Sequence, residues 1–185
     1  MRMAGKRRLL TATLAAAVVA LVCPAALAAP LAAQARHAAG TKQVAFSGHY
    51  TGLASLLINN GAVTISSVKG KGSATLVGAS SLGGKGSASA SAQCDPFGGL
   101  GSISGAKGKI DISVASSTSR GCSSGESGPV TVSFHGIAKA TGGTGDAAGA
   151  AGSLKFSGTL KLGGTSGHQS GSFSATLTGK LTIKD

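Results

Sequence analysis

The chain has 185 residues, among them 31 Gly, 4 Pro, one Tyr, five Phe and no Trp, with 12% charged residues and a formal charge of +12. Five acids are too few to clothe long surface helices, which excludes a helical bundle or coiled coil, and abundant glycine without a three-residue period excludes collagen. A hydrophobic content of 42% is above that of ordinary disordered chains.

Residues 1–35 read as a secretory signal peptide. Arg2, Lys6, Arg7 and Arg8 form a positive start, residues 9–22 are an apolar run too short to span a bilayer comfortably, and Ala26-Leu27-Ala28 and Ala33-Gln34-Ala35 are small-residue cleavage patterns. A retained membrane anchor is the rival reading, disfavoured by that length. Arg7-Arg8-Leu9-Leu10 partly matches a twin-arginine signal. The residues before Cys23 do not fit a lipoprotein site. Cleavage removes four of the 17 basic residues together with Cys23. The expected product is an exported, extracellular chain with no stable membrane anchor. Residues 36–43 are polar and unpatterned, as in a flexible tail, and residues 44–185 are expected to form one domain.

From Val44 the dominant period is two. Val44, Phe46, Gly48 and Tyr50 alternate with polar residues, and two apolar runs flank Asn59-Asn60-Gly61, a hairpin turn whose Asn-Gly pair supplies positive φ. Lys69-Gly70-Lys71-Gly72 reads as a further turn. Residues 79–92 read as a weak strand pair or a flexible excursion, and residues 116–128 as a Ser/Gly loop. Alternation returns at Ile110, Ile112 and Val114, at Val130, Val132 and Phe134, and at Leu154, Phe156 and Leu160. It is clearest at the end, where Phe173, Ala175, Leu177, Gly179, Leu181 and Ile183 take every second place. Such segments have one buried and one wet face. Cys94 and Cys122 remain after cleavage, and two cysteines in an exported chain form a disulfide by default. No His pair lies at ligand spacing to make them a metal site. The expected fold is all-β: an antiparallel meander β-barrel of about eight to ten short strands, with a β-sandwich as the alternative.

Gly142-Gly143-Thr144-Gly145, with Gly158, Gly171-Ser172-Phe173 and residues 177–181, resembles the glycine-rich motif of allene-oxide-cyclase-like and dirigent-like β-barrels. It is similar also to small secreted actinobacterial proteins of unknown function. These share a segment like Cys94-Asp95-Pro96-Phe97, one like residues 101–108, and a second cysteine like Cys122. The likeness spans residues 46–183 and implies the barrel, with the four motif residues forming a tight turn between strands. Ala147 stands where such barrels usually carry an aromatic residue, and the acidic and aromatic pocket residues of the enzymes have no evident counterparts.

The remaining motifs have plain readings. Gly121-Cys122-Ser123-Ser124-Gly125 fits a nucleophile elbow but lacks the strand–turn–helix setting. Residues 143–148 fit a dinucleotide fingerprint without a following helix. His49, His135 and His168 are scattered, and the lysines stand singly along the chain, with too few aromatics for nucleic acid. No catalytic residue, metal ligand or cofactor is expected. The reading is a noncatalytic secreted barrel that binds a small apolar ligand or an anionic cell-envelope polymer. One alternative is a cyclase- or isomerase-like enzyme, for which Asp111, His135 and Tyr50 are the candidate inward groups. Another is a structural envelope protein.

Overall fold

The structure, a computed structural model, describes residues 40–125 and 129–185. The expected leader, the cleavage patterns and most of the expected tail lie outside the described residues. Nine strands follow: β1 (Thr41–Asn59), β2 (Ala62–Ala74), β3 (Gly78–Ser89), β4 (Cys94–Gly105), β5 (Gly108–Val114), β6 (Arg120–Ser124), β7 (Val130–Gly145), β8 (Ala151–Leu162) and β9 (Gly167–Lys184). All pair antiparallel, and β1 closes on β9, so the sheet is a barrel and not a two-sheet sandwich. Eight strands form the ring. The ninth, β6, continues the line of β5: β5 bridges residues 99–105 of β4 and the C-terminal half of β7, while β6 bridges Cys94, Asp95 and Pro96 and the N-terminal part of β7. Between them the chain steps out through a 3-10 turn, Ser116–Thr118.

Several glycine-rich segments expected to be turns or loops are strand. Lys69-Gly70-Lys71-Gly72 lies inside β2, and the true turn is at residues 75–77. Residues 78–89 form β3, and the Ser/Gly stretch around Cys122 contributes β6. Gly142, Gly143, Thr144 and Gly145 end β7, paired with β5, and the turn proper is residues 146–149. Strand β1 begins at Thr41, within the expected tail. It is held there by pairing with β9, by Asp185 N–H donating to Gly40 O at 2.8 Å, and by Lys42 Nζ at 2.8 Å from Asp185 Oδ1.

Gly70 and Gly72 are strand residues because of a limit of space. An eight-stranded barrel is just wide enough for its own side chains or one small ligand, so a ring on one strand needs empty space beside it. Across the inner face Phe46 stands opposite Gly179, Tyr50 opposite Gly72, and Phe173 opposite Gly52. Phe134 likewise faces Gly158, and Phe156 faces Gly136. A methyl added at Gly72 would meet Tyr50 Cδ1 at 2.9 Å, and one at Gly70 would meet Phe173 Cζ at 2.7 Å. Rings covering glycines recover apolar contact where the strand itself has no side chain.

The two ends differ. At the end where residues 41 and 184 lie, Phe46, Tyr50, Ile103, Ile110, Leu154 and Leu181 are buried together. Two turns plug this end, one with Val77 and the other with Ala147 and Ala150. Ala147 is fully buried in that plug. At the other end lie the hairpin at residues 59–62 and the loops at 90–93 and 163–166.

Gly158→Ala is expected to destabilise the barrel by about 1–3 kcal/mol, because the new methyl meets Phe134 Cζ at 2.5 Å and also Ser174 O. Gly142→Ala meets nothing within 4 Å and should change stability by no more than about 0.5 kcal/mol. Urea unfolding of both variants checks the difference.

Candidate ligand-binding cavity

Between the packed end and the loops at 59–62, 90–93 and 163–166 the interior opens into a cavity of about 450 Å³. Its emptiness follows from the strand register. On β3 and β4, Gly84 stands opposite Gly101 and Gly86 opposite Gly99, so no side chain projects from this part of the wall. Halfway round the ring, β8 and β9 present Phe156, Leu160 and Phe173 to the same space. The hairpin strands add Leu56, Ile58, Val63 and Ile65, and β7 adds Val132 and Phe134. These residues point inward because each keeps the period-two phase of its strand.

Four of the five Phe residues line this cavity. Phe97 meets Phe134 and Phe156 edge-on, with ring centroids 6.4 and 5.9 Å apart, and Phe134 lies 6.3 Å from Phe156. Such pairs contribute about 0.5–1.5 kcal/mol each beyond area burial. The cluster gives the cavity a rigid aromatic side.

The rim is polar and braced. The buried carboxylate of Asp95 accepts from Ser91 N–H at 3.0 Å, Ser91 Oγ at 3.0 Å and Ala92 N–H at 2.9 Å, which pins the β3–β4 loop. Cys94 and Cys122 are directly paired across β4 and β6 and form a disulfide. Ser123 N–H donates to Gln93 O at 2.8 Å, and Arg120 Nη1 donates to Ser116 O and Ser119 O at 2.8 and 2.9 Å. Each bond ties β6, the short strand, to its surroundings at the mouth.

Of the three groups that an enzymatic site would have used, two face out. Asp111 is paired with Lys109 at 2.7 Å on the outer surface, and His135 is exposed. Tyr50 points inward, but it lies in the packed half below the cavity, its hydroxyl 2.9 Å from Ser80 Oγ. Burial pushes the Tyr50 phenol above its ordinary range, and the Ser80 hydroxyl offsets part of the shift. His49 and His168 are exposed. Ser123 of the Gly-x-Ser-x-Gly match sits within β6, its Oγ donating to Gln93 O, beside a bridged cysteine. Asn59, Asn60 and Gly61 make the expected hairpin, with φ of 49° at Asn60 and 75° at Gly61. The features missed from sequence are the Phe97–Phe134–Phe156 cluster and the glycine pairs facing it. The in-phase spacing of the Phe residues was the available signal, but their convergence depends on register between distant strands. Among the described residues no helix is long and apolar enough to cross a membrane.

No family model, curated protein or solved structure matches this chain. The functional reading therefore rests on its own geometry.

Cys94→Ser/Cys122→Ser is expected to lose about 3 kcal/mol, since the bridge closes a long loop of the unfolded chain; thermal or urea unfolding measures it. The fold holds the Tyr50 proton to higher pH than the unfolded chain does, so its contribution is full below about pH 10 and is lost as pH rises further. Tyr50 is the sole tyrosine and Trp is absent, so phenolate absorbance reports this titration directly. The apparent pKa should lie above about 10, and Tyr50→Phe should flatten the alkaline loss of stability.

Proposed function

We propose that this protein is an exported carrier or sequestering barrel that binds a small, uncharged, apolar molecule in the cavity at its open end. The observation that carries the reading is the cavity itself: about 450 Å³, lined by aliphatic and phenylalanine side chains and framed by a stapled rim. Ligand sites are typically concave, mostly apolar and preformed, with a few polar groups at the edge. The carboxylate nearest the cavity, Asp95, is occupied with the backbone of the β3–β4 loop. That gives it a part in shaping the mouth. Transfer of apolar ligand surface from water contributes roughly 25 cal/mol per Å², enough to hold a compact hydrophobic molecule without charge pairing.

Export fits the disulfide, which persists in oxidising surroundings. It fits also the outward positions of the strands, which carry Ser, Thr and Lys, whereas a barrel facing lipid presents an apolar band. The cyclase- or isomerase-like alternative has less support, because Asp111 and His135 face solvent and Tyr50 lies below the cavity.

A neutral environment-sensitive dye, N-phenylnaphthylamine, is expected to bind one per barrel with micromolar affinity, about −8 kcal/mol, and to be displaced by other apolar molecules. Val132→Trp places a larger ring in the cavity and should weaken dye binding at least about tenfold, with near-ultraviolet circular dichroism of the phenylalanines reporting the intact fold. Absence of dye binding to folded protein would sink the proposal.

A further inference from the structure

Along the chain the lysines stand singly, but the strand register gathers several of them on one wall. On β8, Lys155 stands opposite Ile137 of β7 on one side and Thr178 of β9 on the other. Lys139 and Lys180 lie two residues further along those neighbours. Lys155 is therefore diagonal to each of the other two, roughly 7–8 Å away, and all three are exposed. A second basic group lies toward the open end. Lys161 stands in a row with Ser172, Leu53 and Lys69, about 20 Å along β8 from Lys155 at the rise of an antiparallel strand. The rows between are hydroxyls and imidazoles, as in His135, Ser157, Thr176 and His49 across four neighbouring strands. Strands β7, β8, β9, β1 and β2 contain no Asp or Glu. The described acids sit elsewhere: Asp95 at the mouth, Asp146 in the closed-end turn, and Asp111 and Asp185 in ion pairs with Lys109 and Lys42.

We propose that the outer wall formed by β7, β8 and β9 is a docking surface for an acidic glycopolymer, a chain of sugars or polyols bearing phosphate or carboxylate groups. The lysines at both ends pair with charges spaced along one chain, which a single small anion cannot do. The Ser and Thr rows between them offer donors and acceptors to sugar hydroxyls. The outward positions of these three strands carry no Phe, Tyr or Trp on which a nucleobase would stack. They also carry no apolar stripe that would sink into a lipid headgroup layer. This surface lies on the outside of the barrel and does not depend on the cavity being filled.

The test is titration of the purified protein against poly(glycerol phosphate) and polygalacturonate, at low and high salt, with neutral dextran, duplex DNA and anionic phospholipid vesicles as rivals. Binding to both acidic polymers is expected, weakening steeply with salt. Lys139→Gln/Lys155→Gln/Lys180→Gln should weaken it about tenfold or more. Lys71→Gln/Lys107→Gln/Lys109→Gln, which removes the same charge from β2, β5 and the β4–β5 turn, outside that wall, should change it less than about twofold. Equal losses in the two triple variants would reduce the effect to net charge and overturn the proposal. So would binding to dextran, or tighter binding to DNA or to vesicles than to the acidic polymers. Dye binding to the cavity should be the same in both triple variants, which separates failure of this surface from failure of the cavity reading.

Discussion

The barrel depends on a limit of space: five of its inward rings fit because a neighbouring strand has no side chain beside them. The structure meets that limit by setting rings against glycines. Phe46, Tyr50, Phe134, Phe156 and Phe173 each face a glycine across the strand pair. The ring lies over bare backbone, so the strands stay close enough to keep their hydrogen bonds while the interior is still filled. Glycine in a strand ordinarily weakens it; here the covering ring supplies the contacts that the missing side chain would have made.

The same rule explains why one half of the interior is solid and the other is hollow. Near residues 41 and 184, glycines are matched by rings or by Ile, Leu and Val, and the plug residues Val77, Ala147 and Ala150 close the end. On β3 and β4 toward the opposite end, glycine faces glycine at Gly84–Gly101 and Gly86–Gly99, and no ring stands opposite any of the four. A cavity remains, bounded across the barrel by phenylalanines. Its rim needs bracing because the stave made of β5 and β6 is interrupted. The Arg120 guanidinium acts at that break, the Cys94–Cys122 bridge fastens β6 to β4, and the Asp95 carboxylate holds the β3–β4 loop.

Alternation made the β architecture legible. The period-two phase of residues 173–183 and of Val130, Val132 and Phe134 placed the buried faces correctly, and Asn60-Gly61 marked its hairpin. Glycine was the ambiguous letter. In Lys69-Gly70-Lys71-Gly72 the sequence has the composition of a turn and also the alternation of a strand, and only the presence of Tyr50 and Phe173 above those glycines decides between them. Gly142 and Gly143 pose the same ambiguity, resolved by their pairing with Asp111 and Ile110.

Local patterning thus determined by itself the class of fold, the direction in which most side chains point and the hairpin at Asn60-Gly61, because each depends on a residue's own geometry or on its immediate neighbours. Tertiary structure decided the strand lengths, the plugged end, the cavity, the convergence of Phe97, Phe134 and Phe156, and the gathering of lysines on one wall. Those depend on which residue of one strand stands opposite which residue of another. Register between segments far apart in the chain is set by closure of the whole ring, and no short stretch of sequence contains it.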